Sequence, residues 1–400
     1  MLNRPTVSQM LTLLAAAGAA PAAACPPPDL ALEPAVVELA AEERPVVEVV
    51  FVLDTTGSMS GLIEGAKQTI WSIATEIARA EPTPIVKMGL VGYRDRTDAY
   101  VVKSFDLTED LDAMYTSLMG FEAAGGGDTP ESVNEALHTA VTAFDWSTDN
   151  NSLRLVYLVG DAPPHMDYEQ DVPYLDSCAA ALERGLIVNT IQCGSISGTE
   201  EIWREIAVNA EGRYERIAQS GGVAVIETPF DAELAELGAE LGTTALAYGD
   251  AEQQRAQMAR QESSRELGDA MSAAPAADRA AYNVSKAGAR NAYGEQDLIR
   301  DLDSERITLA DVPAEELPEA MRTMTPEQRE QHVAAVRARR AEIESRISEL
   351  SEQRAAFQRE KVAERPRAGF DARVLDALRQ QAATKGIEIA PAPTRGTNDS

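Results

Sequence analysis

Cysteine, histidine and aromatic side chains are scarce in these 400 residues: 3 Cys, 3 His, and only 5% Phe, Trp and Tyr. Three cysteines exclude a disulfide-stapled scaffold and a four-thiolate zinc site. The histidines, His138, His165 and His332, are scattered, which weakens any imidazole-based metal site or catalytic triad. Positive charge is short as well, with 36 Lys and Arg against 65 Asp and Glu, net −29. A chain of that sign repels phosphate backbones and anionic lipid, so nucleic-acid binding is not expected, while divalent cations are not opposed. No segment has the roughly 20 apolar residues that cross a bilayer. What the chain does have is 44% hydrophobic residues, enough to fill a core, and a length that suggests two folded units.

The amino terminus reads as an address. Met10–Ala20 is a short apolar run, and Ala22-Ala23-Ala24 supplies the small residues of a signal-peptidase site, so residues 1–24 are expected to be a signal peptide. Export to the periplasm, cell envelope or exterior follows. Cys25 is a lipidation candidate, with Ala22 standing where a lipobox has Leu; simple cleavage after Ala24 is the alternative. Lipid on Cys25 would be the only membrane tether. Residues 25–45, proline-rich and acidic, would form a stiff linker. In an oxidising compartment Cys178 and Cys193 remain as an even pair at one edge of the expected sheet, and a disulfide between them is expected, with two separate buried thiols as the alternative.

Residues 46–217 alternate strand and helix signals. Apolar runs at 46–53, 153–159 and 186–192 read as buried strands, joined by strands at 84–92, 100–105 and 213–217. Helical periodicity covers 60–80, 111–119, 130–144, 172–184 and 200–209. The fold class is therefore α/β, a doubly wound and mostly parallel sheet with helices on both faces, followed by an α-helical region. The helical extension spans 221–389, and 390–400 reads as a disordered tail. Within it, 326–362 has a coiled-coil-like seam of Val333, Val336, Ile343, Ile347, Leu350 and Phe357, interrupted by Arg340 and Arg354. An internal hairpin is the better reading of that seam, a dimer contact the other.

Three loops carry the chemistry. Asp54-Thr55-Thr56-Gly57-Ser58 follows the first apolar strand, Gly125 to Glu131 opens a helix, and Gly160-Asp161-Ala162-Pro163-Pro164 follows another strand. In a parallel sheet, strand ends of this kind converge on one edge. They bring carboxylates and hydroxyls without thiolate or imidazole, the donor set of a hard cation. Plain helix capping and turn formation is the bland alternative. His165 and Tyr168 read as ordinary loop residues, and Arg94-Asp95-Arg96 as a solvated ion-pair cluster.

The pattern resembles the metal ion-dependent adhesion site of von Willebrand factor type A domains, with Thr56 in place of the middle Ser of Asp-x-Ser-x-Ser. The resemblance covers about residues 46–220. It implies that Asp54, Thr56 and Ser58 hold a metal directly or through water, with Thr129 as the distant threonine and Asp161 as the final aspartate. Asp128 is the second choice in the middle loop. More broadly, Asp161-Ala162-Pro163-Pro164-His165, Asn189-Thr190-Ile191-Gln192-Cys193-Gly194 and the Pro229–Tyr248 helix resemble exported bacterial proteins that join such a domain to a helical extension.

The expected function is a non-catalytic binding module. Mg²⁺, or else Mn²⁺ or Ca²⁺, would keep an open position for an acidic side chain of a protein ligand. A magnesium-dependent phosphoryl-transfer enzyme is the rival, but a phosphatase loop of that kind has a second Asp where Thr56 stands. A scaffold acting through its helical region is the third reading.

Overall fold

The computed structural model describes residues 44–127, 129–223, 225–362 and 369–389. The expected signal peptide, Cys25, most of the 25–45 linker, Asp128 and the 390–400 tail lie outside the described residues. The described residues cluster as one compact unit.

Six strands form a single sheet: β1 (Val46–Asp54), β2 (Ile85–Tyr93), β3 (Val102–Thr108), β4 (Ser152–Gly160), β5 (Leu186–Cys193) and β6 (Tyr214–Ile217). Their order is β3-β2-β1-β4-β5-β6, parallel throughout except for β3, which runs antiparallel to β2. From β1 the chain winds first to β2 and later, through β4, to the other side. The strand order therefore reverses between β1 and β4, where such sheets open a crevice at their carboxyl ends.

Both faces are covered, and this is why the central strands are apolar without alternation. Val47, Val49, Phe51 and Leu53 of β1 enter one core together with α1 (Ser60–Ala78) and α2 (Leu111–Met119). Val50 and Val52 enter the other, against α3 (Val133–Thr142), α4 (Tyr174–Glu183) and α5 (Thr199–Asn209). The helix expected over 130–144 begins only at Val133, because Glu131 bonds instead to the loop after β4.

The two cysteines are not joined. Both thiols are free and buried. Cys193 packs in the α1 core, while Cys178 of α4 packs in the opposite core, its Sγ 3.6 Å from the Ile206 carbonyl. The expected disulfide is therefore not formed, because the two thiols point into the cores on opposite faces of the sheet.

After β6 the chain builds a helical layer: α6 (Asp231–Thr243), α7 (Ala251–Ala270), α8 (Ala273–Asn283), α9 (Ala289–Tyr293), α10 (Leu298–Asp303) and α11 (Pro326–Val362). The seam of α11 is internal: Ile343, Ile347 and Leu350 pack with Leu234 and Leu241 of α6 and with Ala277 and Ala280 of α8. Arg340 and Arg354, which interrupt the apolar spacing, are buried anchors. Arg340 pairs with Asp297 at 2.7 Å and lies over the Tyr293 ring; Arg354 pairs with Asp231 and Asp278 at 2.6 and 2.5 Å.

The last helix, α12 (Phe370–Ala383), returns to the sheet. Phe370 packs on Phe51, the Tyr157 hydroxyl donates to the Val374 carbonyl at 3.1 Å, and Gln381 and Asn189 exchange amide hydrogen bonds. A boundary at residue 220 thus leaves out a helix that closes one face of the sheet.

Candidate metal centre

Asp54 ends β1 and Asp161 follows the end of β4, so two adjacent parallel strands deliver both carboxylates to one rim. The three loops are stitched together through their backbones. Gly57 N–H donates to the Gly125 carbonyl at 3.2 Å, and Ala124 N–H donates to the Thr55 carbonyl at 3.1 Å. On the other side, Glu131 N–H donates to the Pro163 carbonyl and His165 N–H to the Glu131 carbonyl, each at 3.0 Å.

Asp54 is fully buried. Its Oδ1 accepts from the Thr56 backbone N–H at 2.8 Å and from the Thr56 hydroxyl at 2.7 Å. The Ser58 hydroxyl lies 3.2 Å from that of Thr56, so the alternating spacing aims three oxygens at one point. Asp54 Oδ2, in contrast, is buried without a hydrogen-bond partner. Burial pushes the Asp54 carboxyl up to about 7, opposed by its bonds to Thr56, reinforced by the neighbouring Asp161 charge and, least of all, offset by the Asp161 backbone N–H. An ionised carboxylate in that position is costly unless a cation or further donors compensate it.

Asp161 is held from both ends. Its main-chain carbonyl accepts from the Thr199 hydroxyl at 3.0 Å, and its Oδ2 accepts from the Gln219 amide at 2.6 Å. Gly160 between the strands is dictated by space. A Cβ there would lie 2.3 Å from the Tyr93 hydroxyl oxygen and 3.1 Å from Asp54 Oδ2. Thr129, by comparison, is exposed on the rim loop, beside Pro130. Asp54, Thr56, Ser58 and Asp161 are therefore brought together, and Thr129 lies on a loop bonded to theirs.

Glu131 belongs to the same rim, though its residue type in that loop gave no separate signal. It is buried, its Oε2 has no partner, and burial with the charges of Asp54, Asp95, Asp98 and Asp161 raises its carboxyl to about 9. The Arg94–Arg96 segment is not a solvated cluster. Arg94 is buried and donates to the Thr55 and Glu122 carbonyls at 3.1 and 2.6 Å, tying the first loop to the segment that leads into the second. Asp95 is buried too and accepts from the Ser132 and Tyr168 hydroxyls at 2.9 Å each. His165 and Tyr168 stack with ring centroids 4.1 Å apart and so brace the third loop.

Among the described residues no three His, Cys, Asp or Glu side chains are grouped closely enough to hold an ion alone. The donor set is two aspartates supplemented by hydroxyls. Those are hard oxygens, and the orphaned Asp54 Oδ2 is an acceptor lacking a positive partner. The residues present fit a divalent cation.

The von Willebrand factor A domain family matches this chain over residues 48–229. Residues 48–229 are a von Willebrand factor A domain. The sheet order, the helices on both faces and the loops at the β1–β4 crevice are that domain's architecture here, followed by a helical region. A curated relative, the putative ariadne-like RING finger protein R811 of Acanthamoeba polyphaga mimivirus, is 28% identical over 125 residues, 31% of this chain. The match spans only 12% of that relative's length. Among solved structures, proximal thread matrix protein 1 from the mussel byssus with a zinc-occupied MIDAS motif is 13% identical, with a TM-score of 0.34. It is covered over 42% of its length, against 44% of this chain. The SpRpn10 VWA domain is also 13% identical, with a TM-score of 0.33, covering 44% of this chain and 89% of that one.

Proposed function

We propose that this von Willebrand factor A domain is a metal-dependent binding module without catalytic activity. Asp54, Thr56, Ser58 and Asp161, with Thr129 of the middle loop, hold a divalent cation, Mg²⁺ or Mn²⁺ before Ca²⁺; Asp128, outside the described residues, is the second choice by sequence. The bound ion supplies an electrophilic position for a carboxylate of a protein ligand. The observation that carries this reading is Asp54 Oδ2, a fully buried carboxylate oxygen that makes no well-formed hydrogen bond at a three-loop rim. Thr56, whose hydroxyl donates to Asp54, stands where the rival phosphatase loop has its acid/base aspartate, and an alkyl hydroxyl is too weak an acid and base for that role.

Export belongs to the same reading. It rests on the apolar run and small residues of the amino terminus, with Cys25 as the candidate tether. Fractionation of cells expressing the full chain checks it, since retention in the cytoplasm with an intact amino terminus contradicts export.

Isothermal titration of the chelator-treated chain with Mg²⁺ and Mn²⁺ tests the metal reading. Saturable binding that Asp54→Ala abolishes is expected. Identical traces from the native and Asp54→Ala chains would overturn it.

A further inference from the structure

Gln219 lies just beyond β6, on the exposed rim, and carries no motif. Its amide nevertheless reaches the centre of the site. Nε2 donates to Asp161 Oδ2 at 2.6 Å, and it lies 3.5 Å from the Ser58 carbonyl and 3.7 Å from Met59 Sδ. One amide group therefore touches both the loop after β1 and the loop after β4.

Its orientation is set from the other end. Oε1 sits so close to Gly194 that a Cβ there would lie 2.0 Å away, and Gly194 has a φ of +70° in the left-handed region that glycine tolerates. Gly194 N–H donates to the Ile217 carbonyl at 3.0 Å, so the pocket for Oε1 is built from backbone. The nitrogen end faces acceptors, and the oxygen end faces Gly194.

An amide nitrogen has no lone pair to give a cation. It does occupy one carboxylate oxygen of Asp161 with a strong, charge-assisted hydrogen bond. A carboxylate tied up in this way is a poor bidentate ligand. Large Ca²⁺ commonly takes carboxylates bidentately and gathers 6–8 oxygens, whereas Mg²⁺ uses single oxygens and retained waters. Partners that bond to a ligating group tune metal affinity by about 10–100-fold.

We propose that Gln219 is a positioning residue that sets the ion preference of this site, restraining Asp161 to one-oxygen ligation and so favouring Mg²⁺ over Ca²⁺. The inference rests on the reading that a cation occupies the site. It adds a residue from the end of β6 to loops that the sequence pattern alone brings to the rim.

The test compares the full chain with Gln219→Leu and Gln219→Glu, measuring Mg²⁺ and Ca²⁺ dissociation constants by titration after chelation. Gln219→Leu removes the donor and is expected to shift the ratio of the two constants toward Ca²⁺ by about tenfold. Gln219→Glu adds an oxygen ligand and is expected to shift it further in the same direction. An unchanged ratio in both variants would overturn the proposal while leaving the metal reading standing. A native chain that binds neither ion removes the reading beneath it and the proposal together.

Should the variants fail to fold, the side-chain amide resonance of Gln219 in the native chain decides. Saturating Mg²⁺ is expected to move that resonance while its hydrogen stays protected from exchange. A resonance that does not respond, or loses its protection, counts against the assigned role. A purely structural role would lower thermal stability without altering the ion ratio.

Discussion

The backbone N–H of Phe370 donates to the carbonyl of Gly221 at 2.9 Å, so the chain leaves the sandwich after β6 and re-enters it at the same place. The helices α6 to α11 are thus an excursion between two adjacent points, and α12 follows them in the chain and packs on the sheet.

Removal of α12 is therefore expected to damage the sheet more than the helical layer. Truncation after residue 368 uncovers Phe51 and Tyr157 and deletes Phe370, Val374 and Leu378, all fully buried. Each such side chain contributes about 1.5–3 kcal/mol on burial. Circular dichroism melts should show a loss of cooperative unfolding or a much lower midpoint. A truncated chain that melts like the intact one would contradict the role given to α12.

Asp54→Asn separates charge from shape. The amide oxygen can still accept from Thr56, and the buried negative charge is gone. In chelator the variant should melt at or above the temperature of the native chain, because no uncompensated carboxylate remains. The rise in melting temperature that Mg²⁺ gives the native chain should disappear. A variant that retains the full magnesium-induced rise would remove Asp54 from the site.

The metal-free domain should weaken as pH rises. The folded-state carboxyls of Asp54 and Glu131 titrate at about 7 and about 9, far above the value of about 4 for unfolded chains. The folded state therefore binds these protons more tightly. Their contribution to stability is complete below about pH 4 and is lost as pH climbs through 7 and then 9. In chelator, melting temperature should fall across that interval, and saturating Mg²⁺ should flatten the slope. A slope that is the same with and without the ion would show that the ion does not meet these carboxylates.

Acid acts on a different contact. Burial raises the Asp112 carboxyl, but the charge and hydrogen bonds of Arg279 outweigh it, so the group lies below its ordinary value. This pair joins α2 to α8. Its stabilisation is present above about pH 4 and is lost as pH falls through the lowered value. Hydrogen exchange should show α8 losing protection in the native chain as pH falls through that value, whereas Asp112→Asn, which lacks the charge at every pH, should be less protected at neutral pH and show no such step; the same acid step in both would contradict the assignment.

In the helical layer, Arg340→Ala leaves Asp297, which has no exposed surface, with an unpaired charge. Breaking a buried pair in this way costs about 3–5 kcal/mol. Urea unfolding should reveal a loss of that size, and the double change Arg340→Met with Asp297→Leu should recover much of it. A single variant within 1 kcal/mol of native, on the order of an exposed pair, would show that water reaches the site.

Much of this protein is legible from local pattern. An apolar run ending in Asp-x-Thr-x-Ser places Asp54 at a strand end, and a second run ending in Gly160-Asp161 does the same, because strand ends in a parallel sheet share an edge. Periodicity also locates the helices, since an amphipathic stripe has to be buried whatever covers it. What covers it is another matter. Arg340 and Arg354 interrupt a stripe by residue type, and only their burial against Asp297, Asp231 and Asp278 turns the interruptions into anchors. Cys178 and Cys193 are an even pair in sequence, yet β5 aims Cys193 into one core while α4 buries Cys178 in the other. Gln219 and Glu131 join the rim through loop contacts between distant stretches of chain, and α12, which follows the helical excursion in sequence, packs on the sheet and closes it. Spacing along a chain reports which side chains share a face of one element; which two faces meet depends on how the elements pack, and that is settled only when the whole chain has collapsed.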